Sequence, residues 1–417
     1  MSVGHKALGD YRHLIGRTLV EEIQQLSEPL AGKRVLHLSA TAMGGGVSEI
    51  LYALVPLMRE AGLETEWQII LGREEFFNVT KLLHNALQGN PHGLSEEDWE
   101  IFHQYNKLNA AELDGEYDYV IVHDPQPAAM RTYLPDAPGR WIWRCHIDLS
   151  TPNPDAIARM VPLVEPYDCK VFHLRDYVPP GVDGKVEILP PAIDPLAPKN
   201  MALAPEDAAY IVEQFGIDVE QPMLVQVSRF DPWKDPSGVI DAYRIVKEQH
   251  PGVQLALVGS MAHDDPEGWE FYNQTVEYAG DDPDIRILSN LNNVGAVEVN
   301  AFQVHARVCL QKSIKEGFGL TVSEALWKAR PMIGGRVGGI VRQIEDGVTG
   351  YTVSSSEECA ARVLDVMADP EAARAMARRG KEHVRTHFLT PRLVRDWLAL
   401  MHRLDGEDVV LDVHGES

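Results

Sequence analysis

The sequence has few cysteines, and they show no metal-binding arrangement. Its 417 residues include 4 cysteines, which are widely scattered and form neither a CxxC pair nor a Cys/His cluster with zinc spacing. Disulfides mark oxidising compartments, so we interpret these residues as reduced thiols of a cytoplasmic protein. The sequence also lacks a run of about 18 apolar residues, and its first residues lack the apolar region of a signal peptide. We therefore expect no membrane association.

Basic residues are also scarce. Lys and Arg together number 38 against 62 Asp and Glu, which gives a formal net charge of −24. Nucleic-acid binding requires a basic surface, so this balance argues against a nucleic-acid partner. If the ligand carries phosphate, the positive groups that bind it must be concentrated locally against the overall negative field.

Apolar, strand-like runs alternate with amphipathic helical stretches along most of the chain. This alternation is typical of βαβ units and predicts an α/β fold with parallel sheets. The chain is longer than a single hydrophobic core usually supports, so we expect two domains. Residues 189–198 hold four prolines and can form neither a helix nor a central strand, which makes them the predicted linker. Ligands of such domains bind at the carboxyl ends of the strands, and the space between the two domains is the expected site.

A glycine-rich turn follows the first predicted strand and opens the first long helix. Gly44, Gly45 and Gly46 would let the backbone approach a ligand closely, and the helix N-terminus would offer N–H groups to a phosphate. The spacing does not match GxGxxG, so a plain dinucleotide fingerprint does not fit. A tight turn without a ligand remains the alternative. Residues 334–339 form a second glycine-rich segment after a later strand.

Two cations follow the first predicted strand of the second half. Arg229 and Lys234 lie five residues apart at the end of that strand. A guanidinium can bind phosphate in a bidentate manner and a lysine adds a point charge, so the pair suits a diphosphate. The alternative is a solvated loop in which both cations make local ion pairs with Asp231 and Asp235.

Two glutamates eight residues apart lie on either side of a predicted helix start. Glu316 precedes Phe318, Gly319 and Leu320, and Glu324 follows about two helical turns later. Glycine exposes backbone N–H groups that can bind an anion there, while carboxylates accept hydrogen bonds from vicinal hydroxyls. An ordinary helix start with a surface carboxylate is the alternative.

Two neighbouring strand ends of the first half carry similar polar groups. One ends in His123 and Asp124, and the other continues from Arg144 to His146 and Asp148. A lone histidine is usually structural, but two strand ends with the same chemistry favour a functional site. Structural roles for these side chains remain the alternative.

Taken in order, these motifs resemble the retaining GT-B glycosyltransferases of the glycogen/sucrose/trehalose synthase type. Residues 228–234 together with the E-x7-E arrangement of Glu316 and Glu324 are its most specific part, and residues 346–351 support it. Within that group the sequence is most similar to the trehalose glycosyltransferring synthases, which join glucose from a nucleoside-diphosphate glucose to free glucose. The similarity lies in the strand ends described above and in residues 311–319.

The resemblance implies a GT-B fold, in which two Rossmann-like domains with parallel sheets face a central cleft. Residues 1–193 would form the N-terminal acceptor domain and residues 194–388 the nucleotide-sugar donor domain. Residues 389–404 would form a helix that packs back on the N-terminal domain.

The resemblance also implies roles for individual residues. It assigns donor binding to the following residues: Gly44, Gly45, Gly46, Arg229, Lys234, Phe318, Gly319, Leu320 and Glu324. Glu316 would bind the hydroxyls of the donor sugar, Glu324 the ribose, and His146 would lie near the reacting carbon. The implied catalytic residues are His146, Arg229, Lys234 and Glu316, and the implied acceptor-binding residues are Asp124, Arg144 and Asp148.

The chemistry that the family implies is front-face transfer with retention. The leaving phosphate itself accepts the proton of the acceptor, and Glu316 binds the sugar without acting as a nucleophile. Because no DxD-like acidic pair stands out in the expected place, we expect no metal to be strictly required, with Mg²⁺ at most a stimulant.

Other functions remain open. Retaining trehalose phosphorylases, which use glucose 1-phosphate and phosphate, share these motifs. A non-catalytic sugar-nucleotide sensor and a transferase with a lipid or protein acceptor are the further alternatives. The nucleobase, the favoured direction of reaction and the oligomeric state, for which a homodimer is one option, stay undetermined.

Overall fold

The computed structural model describes residues 1–43, 45–261, 266–407 and 409. The chain folds into two compact units. The first comprises Met1–Ala192 with the C-terminal segment from Thr390 onward, and the second comprises Ile193–Leu389. The chain passes from one unit to the other within the proline-rich segment 189–198 and returns between two helices. These boundaries differ by one residue from those that the resemblance implies.

The sheet of the first unit contains six parallel strands within the described residues, in the order β2-β1-β3-β4-β5-β6. These strands are β1 (Arg34–Ser39), β2 (Glu64–Ile69), β3 (Tyr119–His123), β4 (Arg140–Arg144), β5 (Cys169–Phe172) and β6 (Val186–Ile188). The helices that precede and connect them are α1 (Leu8–Ile15), α2 (Arg17–Ser27), α3 (Gly46–Glu60), α4 (Glu74–Leu87), α5 (Glu96–Ala111) and α6 (Pro154–Val164). Because the strands are parallel, their carboxyl ends lie at one edge.

Burial explains why these segments form strands and helices. β1 is buried from its second residue to its last, as expected for a strand covered by helices on both faces. Helix α5 starts at Ser95, whose hydroxyl accepts the backbone N–H of Asp98 in a capping box. The amphipathic stretch before β1 forms two helices, because Gly16 between them has a φ of 83°, which ends a helix.

The second unit repeats the same architecture. Six parallel strands within the described residues form a sheet in the order β12-β11-β10-β7-β8-β9. They are β7 (Met223–Val227), β8 (Gln254–Val258), β9 (Ile285–Leu288), β10 (Val308–Gln311), β11 (Met332–Gly335) and β12 (Tyr351–Val353). The helices are α7 (Pro205–Glu213), α8 (Pro236–Gln249), α9 (Pro266–Ala279), α10 (Ala296–His305), α11 (Leu320–Trp327), α12 (Ile340–Gln343), α13 (Ser356–Ala368) and α14 (Pro370–His387).

The last helix, α15 (Thr390–Leu404), belongs to the first unit and packs against α2 and α3. Trp397 and Leu398 are buried in this contact. Arg392 forms an ion pair with Asp396 at 2.7 Å and donates to the carbonyl of Pro190 at 2.8 Å. The helix therefore holds the start of the proline-rich segment as well as the helical face of the first unit.

The α/β fold predicted from the sequence is confirmed, and each unit has the parallel sheet expected for a Rossmann-like domain. Among the helices of the described residues, none combines the length and apolar content needed to span a bilayer.

Candidate active site

Lys234 and Glu316, 82 positions apart in sequence, meet at the carboxyl edge of the second sheet. The Lys234 Nζ atom lies 2.7 Å from the Glu316 Oε2 atom, and their side chains are only 14% and 9% exposed. The Ser313 hydroxyl donates to the same oxygen at 3.2 Å. Because water screens the attraction of such a shielded ion pair only weakly, the two side chains are held in a fixed relative position.

The loops that carry this pair are joined through a buried amide. Gln226, near the end of β7, donates to the Lys234 carbonyl at 2.9 Å and accepts the N–H of Lys312 at 2.9 Å. Asp231 caps the short turn Pro232–Lys234 by accepting the N–H of Trp233. The strand ends therefore determine where the lysine lies.

Arg229 is an exposed cation at this edge. Its guanidinium lies 3.3 Å from the Asp231 carboxylate, and 63% of its side chain is exposed. The structure thus contains the Arg229–Asp231 ion pair that a solvated loop without a ligand would also form. This pair nevertheless leaves most of the guanidinium accessible to a ligand.

The start of α11 depends on close glycine contacts. Gly319 has a φ of 82° and precedes the helix, and a Cβ at Gly339 would come 2.4 Å from the Cα of Phe318. Gln343 donates to the Phe318 carbonyl at 2.5 Å. The second glycine-rich segment therefore packs against this turn, with Phe318 itself buried and Leu320 at the first helical position.

Glu324 is buried on α11 with one carboxylate oxygen unsatisfied. The residue is 1% exposed, and its Oε1 atom lies 3.4 Å from the Lys199 Nζ atom. Its Oε2 atom has no hydrogen-bond donor among the described residues. Lys328 donates to the Glu324 carbonyl at 3.2 Å and to Asn200 at 3.1 Å, and burial lowers the pKa of Lys328 to about 8. A buried acceptor without a donor is costly, and a ligand hydroxyl would satisfy this oxygen once the side chain turns far enough to expose it.

In the first unit, His146 lies in a row of histidines at the carboxyl edge of the sheet. Its Nε2 atom is 2.9 Å from the Nδ1 atom of His123, and its Nδ1 atom is 3.3 Å from the Nε2 atom of His173. His123 also contacts His37, with 2.9 Å between ring nitrogens. Burial lowers the pKa of His146 and of His123 well below the ordinary value. Both imidazoles are therefore neutral near pH 7.

Asp124 fixes the backbone beside His146. It adopts a φ of 65°, unusual for a residue with a side chain, and its carboxylate accepts the His146 N–H at 2.7 Å. Burial raises the pKa of Asp124 to about 7, against the opposing effects of that hydrogen bond and of Arg144. This backbone strain places the carboxyl group next to the histidine row, as expected at a functional site.

Arg144 and Asp148 make contacts within the framework of the first unit. Arg144 is 2% exposed and donates to the carbonyls of Phe172 at 3.0 Å and Leu189 at 2.6 Å. Burial lowers the pKa of its guanidinium to about 9. Asp148 is buried and accepts the N–H of Ser150 at 2.8 Å. The Arg144 side chain is therefore buried in this structure, and its contacts support the strand ends.

Only part of the first glycine-rich turn can be placed. Gly44 lies outside the described residues. Gly45 is exposed and precedes α3, which begins at Gly46, and no atom lies within 4 Å of a Cβ built on Gly45. The turn therefore leaves the N-terminus of α3 open, which suits an anion.

Three residues close to the candidate site were not predicted as site residues from the sequence. Lys328 could have been found, because it follows Glu324 by four residues and comes directly after the last residue of α11. His37 had a weaker signal, a histidine inside an otherwise apolar strand. Lys199 lies close to Glu324 only through the fold. Within the described parts of the chain, no group of three or more His, Cys, Asp or Glu side chains is arranged to hold a metal ion.

Comparison with known proteins places these features in a family. Residues 37–179 match the family described as "Trehalose synthase, N-terminal domain", and residues 208–383 match "Glycosyl transferases group 1". The trehalose synthase of Rubrobacter xylanophilus is 59% identical over 410 residues, which cover 97% of this chain and 98% of the relative. The trehalose synthase of Pyrococcus horikoshii is 48% identical over 408 residues, with the same coverage of 97% and 98%.

More distant proteins share the fold. The structure of a UDP-forming α,α-trehalose-phosphate synthase from Burkholderia xenovorans has a TM-score of 0.71 at 15% identity, and the match covers 89% of this chain and 100% of that one. A trehalose phosphorylase of Grifola frondosa is 26% identical over 465 residues, covering 98% of this chain and 62% of the relative. The synthases are thus much nearer in sequence than the phosphorylase, and the fold is of the GT-B type.

Proposed function

The chain belongs to the trehalose synthase family of GT-B glycosyltransferases, and we propose that it makes trehalose from a nucleoside-diphosphate glucose and free glucose. The transfer would retain the anomeric configuration of the donor. The sequence identity of 59% to a trehalose synthase over nearly the full length of both chains supports the product. The donor, the acceptor and the stereochemistry are the parts that we infer.

The observation that carries the choice of donor is the unsatisfied carboxylate oxygen of Glu324. A ribose presents two adjacent hydroxyls that can donate to such an oxygen, whereas glucose 1-phosphate has no ribose. Leaving a buried acceptor without a donor costs about 1–3 kcal/mol, which a bound nucleotide would recover. Glu324 therefore favours a nucleotide donor over the phosphorylase alternative.

The cations of the second unit suit the leaving group. In the proposed step the bond from the anomeric carbon to the diphosphate oxygen breaks, and a bond to the acceptor hydroxyl oxygen forms on the same face. The acceptor proton passes to the departing diphosphate oxygen. Arg229 and Lys234 would stabilise the negative charge that develops on the diphosphate, as preorganised cations do. Lys234 would exchange its contact with Glu316 for one with the diphosphate.

Residues of the first unit would act on the sugars. We propose that His146 contacts the donor glucose and that Asp124 orients the acceptor glucose, as the family resemblance implies. The Asp124 pKa of about 7 means that its carboxyl can both donate and accept hydrogen bonds near neutral pH.

The proposal also includes the conditions under which the protein works. All four cysteines are free and buried, so a reducing, cytoplasmic location suits the chain. We propose that no metal is strictly required and that Mg²⁺ acts at most as a stimulant. Complete loss of turnover in a chelator, restored by a divalent cation, would contradict this part.

The donor assignment can be tested with a panel of substrates. The purified protein is incubated with glucose and with UDP-, ADP- or GDP-glucose, and glucose 1-phosphate serves as a parallel donor. Trehalose with release of a nucleoside diphosphate is the expected result. Trehalose formed only from glucose 1-phosphate, or broken down only with phosphate, would make the protein a phosphorylase. Nucleotide binding without any disaccharide would favour a sensor.

A further inference from the structure

Four histidines form a continuous row across the first sheet, one from each of four neighbouring strands. They are His37 in β1, His123 at the end of β3, His146 just after β4 and His173 just after β5. The distances between ring nitrogens along the row are 2.9, 2.9 and 3.3 Å. His37, His123 and His173 are at most 3% exposed, and His146 is the most accessible of the four.

The tautomers of these histidines are coupled. A neutral imidazole has one N–H donor and one nitrogen acceptor, so each nitrogen–nitrogen contact needs a donor from one side only. Burial lowers the pKa of His37 to about 3, and the pKa values of His123 and His146 also fall far below the ordinary value. The tautomer of one ring therefore determines the tautomer of the next.

The inner end of the row meets a thioether. The His37 Nε2 atom lies 3.5 Å from the Met58 Sδ atom, and a thioether sulfur can accept weakly but cannot donate. The contact is a hydrogen bond only when the His37 Nε2 atom carries the hydrogen, which makes His37 Nδ1 an acceptor for the Nε2–H group of His123. The same argument, repeated along the row, makes His146 donate through Nε2 and accept through Nδ1.

We propose that the Met58 thioether and the row from His37 to His123 lock His146 as the Nε2–H tautomer, so that its Nδ1 atom acts as a hydrogen-bond acceptor. The Nδ1 atom makes the longest contact of the row, 3.3 Å to His173, and a sugar hydroxyl can compete for it. Met58, His37 and His123 are positioning residues, and the role of the hydroxyl rests on the proposed function.

The row orients His146 but does not conduct protons. A thioether can neither supply nor take up a proton, so the inner end is closed. The charge of Arg144 further lowers the pKa of His146, and the Asp124 carboxylate is engaged with its backbone N–H. His146 thus interacts as a fixed neutral acceptor and not as a general acid.

Nitrogen-15 NMR of the full-length protein tests the tautomer directly. Histidine labelled in the ring gives long-range proton–nitrogen correlations that distinguish the Nε2–H, Nδ1–H and charged forms. Single substitutions of His37, His123 and His146 by Gln assign the signals, and the exposed His92 provides the reference for a ring in water. The expected result is the Nε2–H form for all three buried rings. An Nδ1–H or charged His146 would overturn the proposal.

Met58→Leu tests the lock, with Met160→Leu as the matched control at another buried methionine of the same unit. We expect Met58→Leu to give averaged tautomer signals for His37 and His146 and to lower kcat about two- to fivefold, since the productive tautomer remains partly populated. Met160→Leu should change neither readout. Unchanged His146 signals in a folded Met58→Leu protein would refute the lock, and if that variant fails to fold, the wild-type spectrum still decides the tautomer. Nε2–H signals in a protein that makes no trehalose would refute only the proposed function.

Discussion

Replacement of Lys234 by methionine separates the structural role of the Lys234–Glu316 ion pair from its role in catalysis. The change removes the ammonium and leaves the Glu316 carboxylate at 9% exposure with the Ser313 hydroxyl beside it. Breaking a buried pair by removing one partner costs about 3–5 kcal/mol. We expect the lower end, about 3 kcal/mol, because Ser313 still donates to the carboxylate.

The size of this effect can be measured by thermal unfolding. For a unit of roughly 200 residues, 1 kcal/mol corresponds to about 2–4 °C, so Lys234→Met should lower Tm by about 6–12 °C. Adding Glu316→Gln removes the stranded charge, and the double variant should recover to within about 1 kcal/mol of the wild-type free energy of unfolding. Lys247→Met, which breaks an ion pair with Asp282 in the same unit, is the matched control for lost stability without lost chemistry.

The kinetic result should differ from the stability result. Loss of one preorganised charge at a leaving group typically lowers kcat about 10²–10³-fold. When it is assayed below its melting temperature, Lys234→Met should show a loss of kcat of this size. Lys247→Met should show no loss of kcat. The double variant should regain stability but not activity. Recovery of activity together with stability would refute the assignment of Lys234 to the diphosphate.

Four further substitutions have distinct expected outcomes. Arg229→Gln should leave the free energy of unfolding within about 0.5 kcal/mol, since the side chain is largely exposed, but should lower kcat/KM for the donor about 100-fold. Arg144→Met should destabilise the protein by about 2–4 kcal/mol in urea unfolding, because two buried carbonyls lose their donor. Glu324→Gln should raise KM for the nucleotide sugar about tenfold with little change in kcat, as expected for loss of uniform binding. Asp124 has a pKa raised to about 7 by burial, so the folded form binds its proton more tightly than the unfolded form. Stability should therefore fall by on the order of 3 kcal/mol between about pH 4 and 7, and Asp124→Asn should remove that slope.

Each of these predictions can fail in a recognisable way. An Arg144→Met protein with normal stability and a raised KM for glucose would contradict the framework role and support the acceptor role that the resemblance implies. A Glu324→Gln protein that loses kcat rather than donor affinity would contradict ribose binding. Equal activity of Arg229→Gln and wild type at low donor concentration would remove Arg229 from the diphosphate site.

The sequence was most informative where physical constraints are local. Buried parallel strands are nearly continuous apolar runs, so β1 and β8 could be predicted with bounds that match the structure. Helix α7 gives a weak sequence signal because it is short and begins with an acidic, weakly apolar segment. The start of helix α4 is hard to predict, although its buried face includes Phe76 and Leu83, because no side-chain cap marks that boundary.

The candidate site residues show the same contrast between local sequence signals and contacts that depend on the fold. Motif order and spacing sufficed to nominate Lys234 and Glu316, which the structure brings together. No local pattern could show that Met58 contacts His37 or that Lys199 reaches Glu324, because these contacts depend on how distant segments pack. Arg144 shows the same limit, since the sequence marks a charged residue at a strand end but does not reveal that the side chain is buried and donates to two backbone carbonyls.

The most direct test of glucosyl transfer uses a donor labelled with carbon-13 at the anomeric carbon of its glucose. The protein is mixed with labelled nucleoside-diphosphate glucose and unlabelled glucose, and the products are followed by NMR. We predict α,α-trehalose with the label in one of its two glucosyl units and an equal amount of nucleoside diphosphate. A β configuration at the labelled anomeric carbon would contradict retention, and label found only in free glucose or glucose 1-phosphate would contradict transfer to glucose.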